Sequence, residues 1–218
     1  INFEEIGCKC EMVTLNEYLP EGVEVDYAKL LIIRKGADFL LSYIGSDADE
    51  LFQELVVLDW DKKARMYGRV VNKNARYNLC LDTESQEPNY EEGRGRVVAY
   101  EDVPLISYVR ERLVDMINGG GDLAGELNYY KDISKMGIGF HGDAERLKVI
   151  AVRCGESIPI HYQWYYKGSP VGDRAILDLH HGDMYIMSEK TTGNDWKKKS
   201  RYTLRHAAGC EKFTTISI

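Results

Sequence analysis

The 218-residue chain carries 28 basic against 35 acidic side chains, a formal net charge of −7, and its residues are 44% apolar and 29% charged. That length suits one domain, or one core with an added flank, and the composition is that of an ordinary soluble globular protein. It excludes a bilayer-spanning segment, since no apolar run is long enough, and it opposes indiscriminate nucleic-acid binding, although a local basic groove stays open. No basic start followed by an apolar core and a cleavage site is present, so an intracellular setting, cytoplasmic or nuclear, is expected. Cys8, Cys10, Cys80, Cys154 and Cys210 are odd in number and lack zinc-ribbon spacing, which argues for reduced thiols.

Residues 1–45 read as a small β-rich lead-in. Val23–Tyr27 alternates apolar and polar residues, and Leu30–Ile33 and Phe39–Ile44 are short apolar runs bounded by Gly36 and Gly45. Ser46 followed by Asp49 starts a helix whose stripe is Leu51, Phe52, Leu55 and Val56. From Lys62 to Tyr100 the chain is polar and punctuated by glycine, with Arg65, Arg69, Arg76, Arg94 and Arg96 among Tyr67, Tyr77, Tyr90 and Tyr100. Such a mixture can grip a nucleic-acid strand through phosphates and stacking, or it can be solvated surface, since acidic residues are interspersed. A second helix begins at Pro104, buries Leu105, Val109, Leu113, Met116 and Ile117, and stops at Asn118-Gly119-Gly120-Gly121.

Beyond this point the period changes. Leu147–Arg153, Ile158–Tyr166, Arg174–Leu179, Asp183–Ser188, Arg201–His206 and Glu211–Ile216 are short, rich in β-branched and aromatic residues, and separated by turn residues. Closely spaced strands of this kind indicate a sandwich or jelly roll rather than βαβ units.

The chemistry centres on Gly137-Ile138-Gly139-Phe140-His141-Gly142-Asp143. A histidine and a carboxylate two residues apart on an extended or turning segment can reach one point, and with a second histidine they form the facial triad that holds Fe(II) and leaves positions open. An imidazole hydrogen-bonded to a nearby carboxylate is the plain structural alternative. His161, Gln163 and Tyr165 share one face of their strand and could line a pocket, while His180 and His181 look like turn residues. In Arg201–Gly209, alternation puts Arg201, Thr203 and Arg205 on one side and His206 on the other unless a bulge intervenes. Arginine there would suit a dicarboxylate through bidentate recognition.

Asn128-Tyr129-Tyr130, the segment Gly137–Glu145, His181–Met187, Asp195-Trp196 and Arg201–Arg205 resemble the AlkB-like branch of the Fe(II)/2-oxoglutarate dioxygenases, from about Leu51 to Arg205. The resemblance implies an α+β, mainly β fold with a double-stranded β-helix (jelly-roll) core and flanking N-terminal helices. It implies a single dioxygenase domain over 1–218, with lead-in, helices and candidate substrate lid in 1–127 and the jelly roll in 128–218. It also implies Fe(II) on His141 and Asp143, and 2-oxoglutarate contacts from Asn128, Tyr130, Arg201 and Arg205. One departure stands out. Where that branch has its distal iron histidine soon after the Asp-Trp pair, this chain has Lys197-Lys198-Lys199, and lysine must lose a proton to ligate. Thr203–Cys210 instead resembles the distal segment of the prolyl-hydroxylase branch, which implies His206 as third ligand and Lys212 as the co-substrate cation.

The activity so implied is hydroxylation of a C–H bond by oxygen and 2-oxoglutarate, most simply oxidative demethylation of a nucleobase presented single-stranded or flipped out of a duplex. Two rivals stand beside it: a hydroxylase of a protein side chain or small molecule, and an inactive jelly-roll binding module. No membrane partner is expected.

Overall fold

A computed structural model describes all residues except 1, 2, 6, 118–122, 217 and 218. In chain order it contains β1 (Cys10–Thr14), β2 (Lys29–Ile33), α1 (Gly36–Ser42), α2 (Ala48–Val56), β3 (Lys63–Met66), β4 (Arg69–Asn72), β5 (Tyr77–Asp82) and β6 (Val97–Ala99). There follow α3 (Pro104–Met116), β7 (Gly125–Tyr129), β8 (Gly137–His141), β9 (Val149–Val152), β10 (Ile160–Tyr166), β11 (Ser169–Leu177), β12 (Met184–Met187), α4 (Glu189–Thr192), β13 (Thr203–Gly209) and α5 (Glu211–Thr214). The fold is thus mixed and mainly β. The chain divides into two compact units, one of residues 37–132 and the other of the segment up to Gly36 together with the chain from Ile133 onward. The expected division between lead-in and core at 127/128 falls inside β7.

Residues 37–132 hold the helices expected at 46–60 and 104–117. Asp47 caps α2, accepting the Glu50 N–H at 2.9 Å, and Glu54 on α2 accepts the Leu105 and Ile106 N–H groups at 2.8 and 3.1 Å. These are the unpaired donors at the start of α3, whose own flanking residue Val103 offers no side-chain cap. Val109, Leu113 and Met116 are buried as the spacing requires, while the proposed stop at 118–121 lies outside the described residues. Phe39–Ile44 is no strand: Ala37, Leu40 and Leu41, three and four apart, are buried on one side of α1, so the helical period governs the run. Val23–Tyr27, too, forms no strand.

The tyrosine- and arginine-rich stretch of this unit is structured. β3 and β4 make a hairpin whose turn residues Tyr67 and Gly68 both have positive φ, 53° and 77°, the geometry that a two-residue hairpin favours. β6, β5 and β7 form a separate sheet in that order. Several arginines are engaged: Arg96 pairs with Asp59 at 2.8 Å and Glu87 at 2.7 Å, and Arg94 pairs with Glu92.

The other unit consists of two four-stranded sheets, ordered β1-β2-β12-β9 and β11-β10-β13-β8. Their facing residues meet in one apolar core: Leu30 and Ile32 from β2, Tyr185 and Met187 from β12, Tyr162 and Trp164 from β10, and Leu204 from β13. Each aliphatic side chain so buried contributes about 1.5–3 kcal/mol relative to exposure. Trp164 Nε1 donates to the Leu15 carbonyl at 2.8 Å, which satisfies the indole and ties in the N-terminal segment. Glu211–Thr214, expected to be extended, is the short helix α5. Among the described residues no helix is long and apolar enough to cross a membrane.

Candidate metal centre

His141 ends β8, and His206 lies in the middle of β13, which pairs antiparallel with β8 so that the two histidines are direct cross-strand partners. A register shift follows between His206 and Ala208. His206 shares the inward face of β13 with the core residue Leu204, as alternation requires. Asp143 arrives from the turn after β8. Its N–H donates to Thr192 O at 2.8 Å, and the Thr192 hydroxyl donates to Arg146 O at 2.9 Å, so the 142–146 turn is pinned against the end of α4. Gly142, between the two candidate ligands, has to be glycine for want of space. A Cβ there would sit 2.2 Å from Gly193 O and 2.7 Å from Trp196 Cβ.

One donor atom from each of His141, Asp143 and His206 lies within 4.8 Å of the others. The Nε2 atoms of His141 and His206 stand 3.7 and 3.8 Å from the two carboxylate oxygens of Asp143. These separations are too long for hydrogen bonds. They do suit ligands of a shared ion, since two donors each about 2.1 Å from one centre lie between roughly 3 and 4 Å apart for angles from 90° to 140°. His141 Nδ1 is 2.8 Å from Gly139 O, which fixes the proton on Nδ1 and turns the Nε2 lone pair toward Asp143. His206 Nδ1 is buried without a partner. Burial first, and then the charges of His141, Arg146 and Arg153, pull the His206 pKa down to about 3, so the imidazole stays neutral as metal binding requires. Two imidazoles and one carboxylate, joined by no other His, Cys, Asp or Glu among the described residues, fit a divalent transition ion with open positions. A surface cavity of about 250 Å3, lined in part by Asp143, Arg146, Trp196 and Lys197, adjoins the centre.

The other expected site residues are placed as follows. Asn128 sits on β7 in the 37–132 unit, where Oδ1 accepts from Arg76 Nε at 2.6 Å, and Tyr130 directly follows that strand. Arg201 is exposed. Arg205 points to the opposite side of β13 from His206, with its guanidinium 3.9 Å from the Tyr165 ring and 5.3 Å from that of Trp196. Lys212 is exposed on α5, its ammonium over Phe213. Arg146 and Arg153 are the cations whose charge helps lower the His206 pKa.

The Lys197–Lys199 run is exposed, and the residue grouped with His141 and Asp143 is His206. His180 and His181 serve the turn, with Nδ1 atoms 2.9 Å from Ser157 Oγ and 2.8 Å from the Gly155 N–H. His161, Gln163 and Tyr165 occupy the face of β10 away from the core, and Tyr162 and Trp164 the face within it. Tyr162 therefore neighbours His206, with ring centroids 5.9 Å apart. Strand alternation carried that signal, but the apolar set of β10 had to be recognised as the inner one.

No family model matches the chain. A protein of Acanthamoeba polyphaga mimivirus, "Uncharacterized protein R156", is 46% identical over 214 residues, spanning 97% of this chain and 82% of the viral protein.

Proposed function

The chain belongs to the family of mimivirus protein R156, and from the geometry of its centre we propose that it is an Fe(II)- and 2-oxoglutarate-dependent dioxygenase that hydroxylates a C–H bond. The observation that carries the reading is the His141–Asp143–His206 triad, two imidazoles from adjacent strands and a carboxylate from the turn that follows the first. The strand order β11-β10-β13-β8 opposite β1-β2-β12-β9 supports the jelly-roll form of this fold. Once bound, the metal and its co-substrate supply oxidation of the substrate by oxygen, coupled to decarboxylation of 2-oxoglutarate to succinate.

The chain's own part is to hold and shield. His141 and His206 donate neutral nitrogens, Asp143 supplies the charge, and Tyr162 and the core behind it close one side against water. A nucleobase substrate draws support from the β3–β4 hairpin, which carries Lys63, Arg65 and Arg69 and holds Tyr67 94% exposed at its tip. Exposed aromatic rings beside cations are the usual platform for single-stranded nucleic acid. A protein side chain or small molecule is the second reading, favoured by the net charge of −7.

The test is an anaerobic titration with Fe(II) and 2-oxoglutarate that follows the visible charge-transfer band of the chelate. A band in wild type that vanishes in His206→Ala is expected. Absence of the band in wild type at saturating ligand would sink the proposal.

A further inference from the structure

The turn between β10 and β11 and the 195–201 loop form one exposed basic surface. Tyr166 pairs with Ser169, so Lys167-Gly168 is a two-residue hairpin turn, and the Lys167 N–H donates to Lys199 O at 3.0 Å. The loop is folded on itself, with the N–H groups of Lys198 and Arg201 donating to Asp195 O and Lys198 O at 2.8 and 3.0 Å. Lys167, Lys197, Lys198, Lys199 and Arg201 are thereby gathered, and all are exposed. Among the described residues none of the five forms an ion pair, and Asp195, the acid within the loop, is taken by Lys190 at 2.8 Å.

Such a cluster lowers the stability of the free protein. Its like charges repel one another, and they stay unneutralised although the chain as a whole has a net charge of −7. Lys167 adds backbone strain: its φ is 52°, a left-handed value that favours glycine or asparagine at this turn position. Strain held at an exposed lysine points to a use for its ammonium group.

The chemistry of the cluster narrows the partner. Four of the five cations are lysines, compact point charges that suit phosphates, whereas the arginine fork matches carboxylates and lysine is depleted in protein interfaces. The aromatic rings here are engaged within the protein. Tyr166 stacks on Tyr202 with centroids 4.5 Å apart and planes at 15°, and the ammonium groups of Lys167 and Lys197 lie 5.3 and 5.6 Å from the rings of Tyr166 and Trp196. Unpaired bases therefore find no free stacking platform, which favours a duplex held by its backbone over a single strand.

We infer that this surface docks a nucleic-acid duplex through its phosphates, without reading sequence. None of the five cations is among the candidate metal ligands, so the inference stands or falls apart from the dioxygenase reading. Lys197 also lines the cavity beside Asp143, and a duplex seated here lies next to the centre.

The experiment follows the fluorescence anisotropy of a labelled, mixed-sequence DNA duplex over a series of salt concentrations, in EDTA and again with Mn(II). Equal binding in the two buffers is expected, with log affinity falling against log salt by up to about 4.5, or about 0.9 for each phosphate neutralised. Lys197→Gln, Lys198→Gln and Lys199→Gln combined should lower that slope by about 2.7. Lys167→Gly should weaken binding several-fold at low salt yet unfold at the same or a higher temperature, since glycine relieves the turn. This variant separates lost charge from a folding defect.

Wild type that does not bind the duplex overturns the inference, as do lysine variants that bind like wild type while Arg69→Ala loses binding. Tighter binding of the corresponding single strand, or displacement of the duplex by polyglutamate as effective as by unlabelled duplex, gives the surface to another partner and overturns it too. Duplex binding in a protein that takes up no Mn(II) removes the metal centre and leaves this inference standing.

Discussion

His206 and His141 face each other across the β13–β8 ladder with ring centroids 4.4 Å apart, so sheet pairing itself sets the spacing of the two imidazoles. The centre is therefore as rigid as the ladder that builds it, and only Asp143 depends on a turn. Removing either ring should cost affinity and leave the fold standing. His141→Ala and His206→Ala are each expected to weaken Mn(II) binding by at least about 100-fold, since changes to outer partners alone cost about 10- to 100-fold. Titration calorimetry checks this, and near wild-type affinity in either variant would remove that residue from the centre.

Gly142 separates the candidate ligands His141 and Asp143 and has the Gly193 carbonyl where a side chain would begin. Gly142→Ala should force the 142–146 turn away from residues 192–193 and move Asp143. A loss of about 1–3 kcal/mol is expected, as for overpacking elsewhere, together with weaker Mn(II) binding. Denaturant unfolding and metal titration of one preparation test both halves, and an unchanged variant would show that the turn has slack.

Acid should destabilise the metal-free protein through His206. Its pKa falls from 6.5 to about 3 on folding, so between those values the unfolded chain binds the extra proton. Stability from this residue is full above pH 6.5 and is lost as pH falls, with a slope approaching about 1.4 kcal/mol per pH unit. Urea unfolding at a series of pH values should show that slope in wild type and a flatter one in His206→Asn. Equal slopes would mean that His206 is not what the pH dependence reports.

The hairpin tip separates the substrate classes. If single-stranded nucleic acid is the substrate, log affinity should fall with log salt by about 0.7 for each phosphate neutralised. Arg69→Ala should then lower the slope by about that amount. Tyr67→Ala should weaken binding by about 1–3 kcal/mol and leave the slope alone. Salt-insensitive substrate binding would favour the protein or small-molecule reading.

Much of this was legible in the residues. The strands of the second half and the helices expected from Ser46 and Pro104 follow from period and capping, with Asp47 rather than Ser46 capping the first, whereas the grouping of His141, Asp143 and His206 is what the family resemblance implies. Other features depended on tertiary context. Phe39–Ile44 is too short for periodicity to tell helix from strand, and burial of Ala37, Leu40 and Leu41 decides it. An arginine at a strand end is normally solvent-facing, and only the backbone ladder continued to Asp183 and Gly182 shows that Arg153 keeps the register of β9. Similarly, β10 offers two faces, and its sequence alone does not say which one meets the opposite sheet.

Strand β2 lies between β1 and β12, and Ile33 pairs with Met184. The residues through Met187 must therefore be made before the first inner strand has its second neighbour. Until then Leu30–Ile33 presents an apolar strand with one open edge, which a short first hairpin cannot cover. Closing so long a loop is slow, so productive folding should be the step most sensitive to temperature and concentration during synthesis, and chaperone demand should track β2 rather than β8 and β13.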